Sequence, residues 1–190
     1  IEEFWKKTPK SRRFNSNARK YMPGGDTRSA TYYKPYPAYM KKGKGCRLWD
    51  VDGNMLLDFC NNYSSQILGH AHPTIVKAVQ DTFARGNCYG APTEEAYQLA
   101  RILCRRVSSI ENIRFTNSGT EATMQSIRAA RAFTGKSKIL KMEGGFHGTH
   151  DCVQISVKPD LEAAGSAKWP KSLAENRGIT KNVVKDVLVT

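Results

Sequence analysis

The run Asn117-Ser118-Gly119-Thr120-Glu121-Ala122-Thr123 puts two hydroxyls and a glycine where an apolar run, Ile113 to Thr116, gives way to a helix beginning near Thr120. That order suits an anion. The first amide N–H groups of a helix lack partners, and the aligned peptide dipoles leave partial positive charge there. Gly119 lets the backbone approach closely, and Ser118 and Thr120 add hydroxyl donors. Read singly, Ser118 or Thr120 is a helix cap. A second loop, Glu143-Gly144-Gly145-Phe146-His147-Gly148, follows another short apolar strand, Ile139 to Met142, and sets one aromatic ring among glycines. By itself Phe146 reads as a core plug and His147 as a structural histidine. Loops that follow consecutive strands meet at the carboxyl edge of an α/β sheet. Together they point to a phosphorylated ligand with a flat ring.

Four segments carry a wider resemblance: Ile67-Leu68-Gly69-His70-Ala71-His72-Pro73, Gly90-Ala91-Pro92-Thr93, Asn117 to Ala122, and Glu143 to Gly148. In order and spacing they resemble the class III pyridoxal-phosphate aminotransferases, and within them the branch containing glutamate-1-semialdehyde aminomutase. The resemblance implies an incomplete α/β fold of the fold type I class. A small antiparallel sheet would precede the first part of a mainly parallel one. It implies pyridoxal 5'-phosphate as cofactor, held by Ser118, Gly119 and Thr120 at its phosphate and by Phe146 and His147 at its ring. Phe146 stands where many members carry Tyr, which keeps a stacking face and removes a polar handle. Arg28 is similar in place to an arginine that receives a substrate carboxylate, and Tyr63 to an aromatic that faces the substrate. Aminomutases typically read Asn-Ser-Pro-Val-Arg where this chain has Asp26-Thr27-Arg28-Ser29-Ala30. This run looks more like that of transaminases acting on amino acids, including β-amino acids, so the resemblance implies transfer of an amino group between an amino acid and an oxo acid or aldehyde, with aminomutation as the alternative and the substrate left open. The family's Schiff-base lysine and the aspartate at the pyridine nitrogen fall beyond the position matching Thr190. No catalytic residue is expected in this chain, and Lys136, Lys138 and Lys141 read as solvated charges. The chain is expected to be a fragment of a homodimeric enzyme, and poorly stable by itself.

Of the 190 residues, 39% are hydrophobic and 25% charged, as in a globular protein with no membrane-spanning stretch. Five cysteines without a Cys-x-x-Cys pair suit a reducing cytoplasm; an organellar address stays open. The net charge of +13 is uneven, with 13 Lys or Arg against 3 acids in residues 1–47. Such an arm is one mark of a nucleic-acid binder, but no zinc-finger spacing or recognition motif accompanies it. A solvated basic face is the better reading. His70-Ala71-His72 and His147-Gly148-Thr149-His150-Asp151 supply metal-ligand types, yet lie in Gly- and Pro-punctuated loops and not on one helix face.

The elements that position these residues follow from pattern and punctuation. Residues 1–66 read as an N-terminal segment with a short helix around Arg12 to Tyr21, an extended arm, and strands at Tyr39 to Lys42, Cys46 to Asp50 and Met55 to Cys60. Residues 67–190 read as the first part of the cofactor-binding domain. Pro73 starts a helix with Ile75, Val76, Val79 and Phe83 on one face, and Gly86 ends it. Thr93 caps the next, whose buried stripe is Ala96, Leu99, Ala100, Leu103, Cys104 and Val107. Strand, helix and strand then alternate to a last strand at Val187 to Thr190, the signature of a parallel sheet.

Overall fold

The computed structural model describes residues 1–28 and 31–190, so Ser29 and Ala30 of the Asp26 to Ala30 run lie outside the described residues. The chain folds as two compact units, Ile1–Pro92 and Thr93–Thr190.

In the first unit, helices α1 (Glu2–Lys7) and α2 (Pro9–Ala18) precede a three-stranded antiparallel sheet of β1 (Met40–Lys44), β2 (Arg47–Asp50) and β3 (Met55–Leu57), in that spatial order. The helix expected around Arg12 to Tyr21 is thus shifted toward the N-terminus. The Asp52 carboxylate, on the turn after β2, accepts from the amides of Lys10 and Ser11 at 2.6 and 3.0 Å and from the Ser11 hydroxyl at 2.8 Å. It satisfies the open end of α2 from 41 residues away in sequence, a cap that no local pattern announces. Strand β1 runs through Gly43 and Lys44, moving its turn to Gly45 and Cys46; β2 pairs it from Lys44↔Arg47 to Met40↔Asp50. Strand β3 stops at Leu57, short of the expected Cys60. The Asp58 carboxylate collects the Cys60 and Asn61 amides at 3.0 and 2.8 Å and turns the chain there. The single turn α3 (Asn61–Ser64) follows, and then α4 (Pro73–Arg85), entered from an extended His72 and ended at Gly86 with φ 96°.

The second unit opens on α5 (Glu94–Arg106). Thr93 caps it by accepting from the Ala96 amide at 3.3 Å, and Glu94 and Glu95 sit at its positive end. Residues 113–116 form no strand. No described strand pairs with them, and a strand exists only as a partner in a ladder. Helix α6 (Gly119–Thr134) leads to β4 (Ile139–Lys141), and further on a two-stranded hairpin of β5 (Gly165–Ser166) and β6 (Trp169–Pro170) precedes α7 (Lys181–Asp186) and β7 (Val187–Val189). Strands β4 and β7 pair in parallel, Ile139↔Val187 to Lys141↔Val189. The small core lies beside this pair: Ile155, Ile179, Val187 and Val189, flanked by Ile139, Cys152, Val183 and Val184. The α/β class, an antiparallel sheet followed by parallel strands, is as the sequence implies.

The expected buried stripes are not buried. No residue of α4, α5 or α6 is in the interior, and Phe83 on α4 is 62% exposed. Their apolar faces are periodic without being covered. Among the described residues no helix is long and apolar enough to cross a membrane.

Candidate active site

The start of α6 is built as the sequence suggests. Ser118 is extended, and its Oγ accepts from the Glu121 amide at 3.1 Å; the Glu121 carboxylate reaches back to the Asn117 amide at 2.8 Å. This reciprocal cap uses the Ser118 oxygen and leaves its proton available. Capping and anion binding are therefore compatible in one residue. Among the described residues no acceptor meets the amides of Ser118, Gly119 or Thr120. A Cβ built on Gly119 would find nothing within 4 Å, so the space in front of these amides is open. Three unpaired donors around such an opening form a cradle for an oxyanion.

The aromatic loop is tied to this cradle by three threonines. The Thr120 Oγ1 accepts from the Thr149 amide at 3.1 Å, with the two threonine hydroxyls 3.4 Å apart. The Thr123 hydroxyl donates to the His147 carbonyl at 2.8 Å and lies 3.3 Å from His150 Nε2. Burial pushes the His150 pKa down, which favours the neutral ring at this contact. Gly148 makes the approach sterically feasible. Its φ is +104°, and a Cβ there would stand 2.8 Å from Thr120 Cα. The His147 ring folds back over Gly145, where a Cβ would meet its Nε2 at 2.7 Å. Phe146 lies on this loop and is 67% exposed, which excludes the core-plug reading.

The base of the loop is fixed from below. The Glu143 amide donates to Thr190 O at 2.9 Å and the Gly144 amide to Ser156 O at 2.8 Å. Lys141, expected in solvent, is 7% exposed, and its ammonium donates to Ile155 O at 2.6 Å. Alternation along β4 turns Lys141 inward, where burial lowers its pKa and Glu175 and Glu143 oppose that shift.

Arg28 and Tyr63 belong to the first unit and are brought together there. The Arg28 guanidinium carbon lies 5.9 Å from the Tyr63 ring centroid, and Arg28 Nη1 donates to Asn62 Oδ1 at 3.4 Å. Arg28 also lines a cavity of about 340 Å³ with Pro23, Asp26, Thr27 and Tyr32. The Asp26 carboxylate accepts from the Thr27 and Arg28 amides and from the Thr31 hydroxyl, and its pKa is held low by these bonds, Thr31 foremost. Tyr63 is 54% exposed, so it is not core packing. Among the described residues no group of three or more His, Cys, Asp or Glu could hold a metal ion; His70 instead pairs with Asp58 at 2.6 Å.

Sequence reasoning missed Thr123, Thr149, His150 and Asn62. Thr123 lies one helical turn from Thr120 in the same motif, a spacing that could have drawn attention to it. The other three depend on contacts across 27 to 34 residues.

The unpaired amides at the start of α6 and the glycine-rich aromatic loop are thus locked together in one place. The class-III aminotransferase family model matches residues 28–175, and this chain belongs to that family. It is 40% identical over 183 residues to the glutamate-1-semialdehyde 2,1-aminomutase of Methanocaldococcus jannaschii, covering 96% of this chain and 41% of that one. It is 39% identical, with a TM-score of 0.89, to an omega-transaminase from Sphaerobacter thermophilus, covering 94% of this chain and 41% of the other. A transaminase with pyridoxal phosphate bound is likewise 39% identical, with a TM-score of 0.87 over 96% of this chain and 41% of its own. The chain spans about two-fifths of the length of the relatives it matches.

Proposed function

We propose that this chain supplies the phosphate cradle, ring platform and substrate-carboxylate site of a pyridoxal-phosphate-dependent aminotransferase. The enzyme would move an amino group between an amino acid and an oxo acid or aldehyde. One observation carries the reading: the three unpaired amides at the start of α6 open beside a loop that three threonines and Gly148 fix in place. These residues fit the cofactor. Gly119 and Thr120 would donate backbone N–H groups to the phosphate, with the Ser118 and Thr120 protons adding to them. Phe146 would offer its face to the pyridine ring. When bound, the cofactor supplies an electron sink for the carbon that bears the amino group. Arg28 would grip the substrate carboxylate in bidentate fashion, with Tyr63 beside it.

The high identity to an aminomutase supports a second reading, in which the amino group moves between carbons of one substrate. The Asp26-Thr27-Arg28 run, which stands where aminomutases typically read Asn-Ser-Pro-Val-Arg, supports the first. A homodimer of the complete enzyme belongs to the same proposal. The test compares pyridoxal 5'-phosphate with pyridoxal on the complete apo-enzyme. The phosphorylated form should bind at least tenfold more tightly, and Gly119→Val should abolish that margin while the fold melts as before. Equal affinity for the two would sink the cradle reading. Release of oxo acid from an added amino acid, dependent on a second oxo acid, would then separate transamination from aminomutation.

A further inference from the structure

Four consecutive residues without glycine, Asn61, Asn62, Tyr63 and Ser64, have φ of 48°, 45°, 55° and 70°. With ψ of 53° and 47° at Asn62 and Tyr63, α3 is one turn of left-handed helix. Asparagine tolerates this region; an aromatic residue does so rarely. The turn is held from outside. Asp58 accepts the Cys60 and Asn61 amides and meets His70 Nε2 at 2.6 Å, and the Gln66 amide donates to Asn61 O at 3.2 Å. The Asn62 carboxamide has its Nδ2 donating to Ser65 Oγ at 2.8 Å, and this turns Oδ1 toward Arg28 Nη1. Among the described residues that Oδ1 is the sole side-chain acceptor on the guanidinium. Strained backbone of this kind is maintained where a side chain must be aimed.

We propose that Asn62 is a positioning residue for Arg28, and that α3 is left-handed in order to present its amide oxygen and the Tyr63 face to the guanidinium together. An amide suits this task because it orients one N–H and leaves the positive charge whole. A carboxylate at the same place would neutralise Arg28 and compete with an incoming anion. The ligand class this favours is a monocarboxylate with an apolar or aromatic body: Pro23 and Tyr32 line the cavity with Arg28, the Tyr63 ring lies 5.9 Å from the guanidinium, and the polar lining is Thr27 and Asp26, whose carboxylate is engaged by the Thr27 and Arg28 amides and the Thr31 hydroxyl. The inference rests on the reading of Arg28 as a carboxylate site.

The test measures binding of 3-phenylpropanoate, with 3-phenylpropanamide as the uncharged control, to the complete enzyme and three variants. Arg28→Gln should weaken the carboxylate at least tenfold and leave the amide control unmoved. Asn62→Asp should weaken the carboxylate on the order of tenfold by placing a charge beside Arg28. Asn62→Gly should weaken it about threefold while the melting temperature holds or rises by up to about 4 °C, because glycine relieves the left-handed backbone. Parallel loss of melting temperature and affinity in Asn62→Gly would reduce Asn62 to a structural part and overturn the inference. If Arg28→Gln weakens binding and neither Asn62 variant does, the inference fails while the carboxylate site stands. If the wild type does not bind, or Arg28→Gln changes nothing, the carboxylate reading itself fails.

Discussion

Gly119 and Gly148 are both glycines of the candidate site, and they are glycine for opposite reasons. At Gly119 a methyl group would meet nothing within 4 Å, whereas at Gly148 it would lie 2.8 Å from Thr120 Cα on a backbone with φ +104°. Gly119→Ala should therefore leave the stability of the complete enzyme within about 0.5 kcal/mol and lower its affinity for pyridoxal phosphate by filling the cradle. Gly148→Ala should destabilise it by about 2 kcal/mol or more, since both the left-handed φ and the close contact oppose a side chain. Urea melts and cofactor titration of the two variants check the pair. Equal stability loss would show that the cradle is not open. At the same scale, the sequence motif points to Ser118, Gly119 and Thr120, whose amides are unpaired, and is silent on Thr149 and Asn62, whose contacts arise only across the fold.

At the scale of elements, the lock between α6 and the loop of residues 143–150 includes a contact from Thr123 to a histidine whose neutral form burial favours. Burial depresses the His150 pKa below its ordinary value of 6.5. Between that depressed value and 6.5 the unfolded chain binds more protons at this site than the folded one, so stability rises with pH there. Lowering the pH from 7 toward 5 should then loosen the contact with Thr123. Protection of the amides of residues 147–150, taken relative to the intrinsic exchange rate at each pH, should fall over that range, and His150→Gln should remove the dependence. No change in that protection between those pH values would refute it. Elements were the most legible level in the sequence wherever punctuation is local: Pro73 and Gly86 bracket α4, and Thr93 and Ser118 cap α5 and α6. Legibility failed at α2, which Asp52 caps from the sheet, and at residues 113–116, which await a ladder partner.

The whole molecule exposes 15069 Å² for a mass of 21.2 kDa. A folded monomer of that mass exposes about 9,100 Å², and two independent units of half the mass about 11,000 Å². Large apolar side chains contribute to it, Phe59, Ile67, Phe83 and Phe133 among them. Such surface drives association. The 190-residue chain alone should bind a hydrophobic dye, scatter light at micromolar concentration and lack a sharp melt. A soluble monomer that melts cooperatively would contradict this. The relatives' greater length and the dimer proposed above both offer cover for the α4 to α6 faces.

What the sequence determined by itself is whatever a few neighbouring residues can enforce: helix caps, the turn glycines, the amphipathic periods, and a motif whose hydroxyls and glycine suit an anion. Tertiary structure alone decided which amides stay unpaired, that Lys141 turns inward to Ile155 O, and that Asn61 to Ser64 wind left-handed against Arg28. The physical reason is that hydrogen-bond satisfaction and burial belong to pairs of groups, and in this chain the deciding partners lie 14 to 41 residues apart.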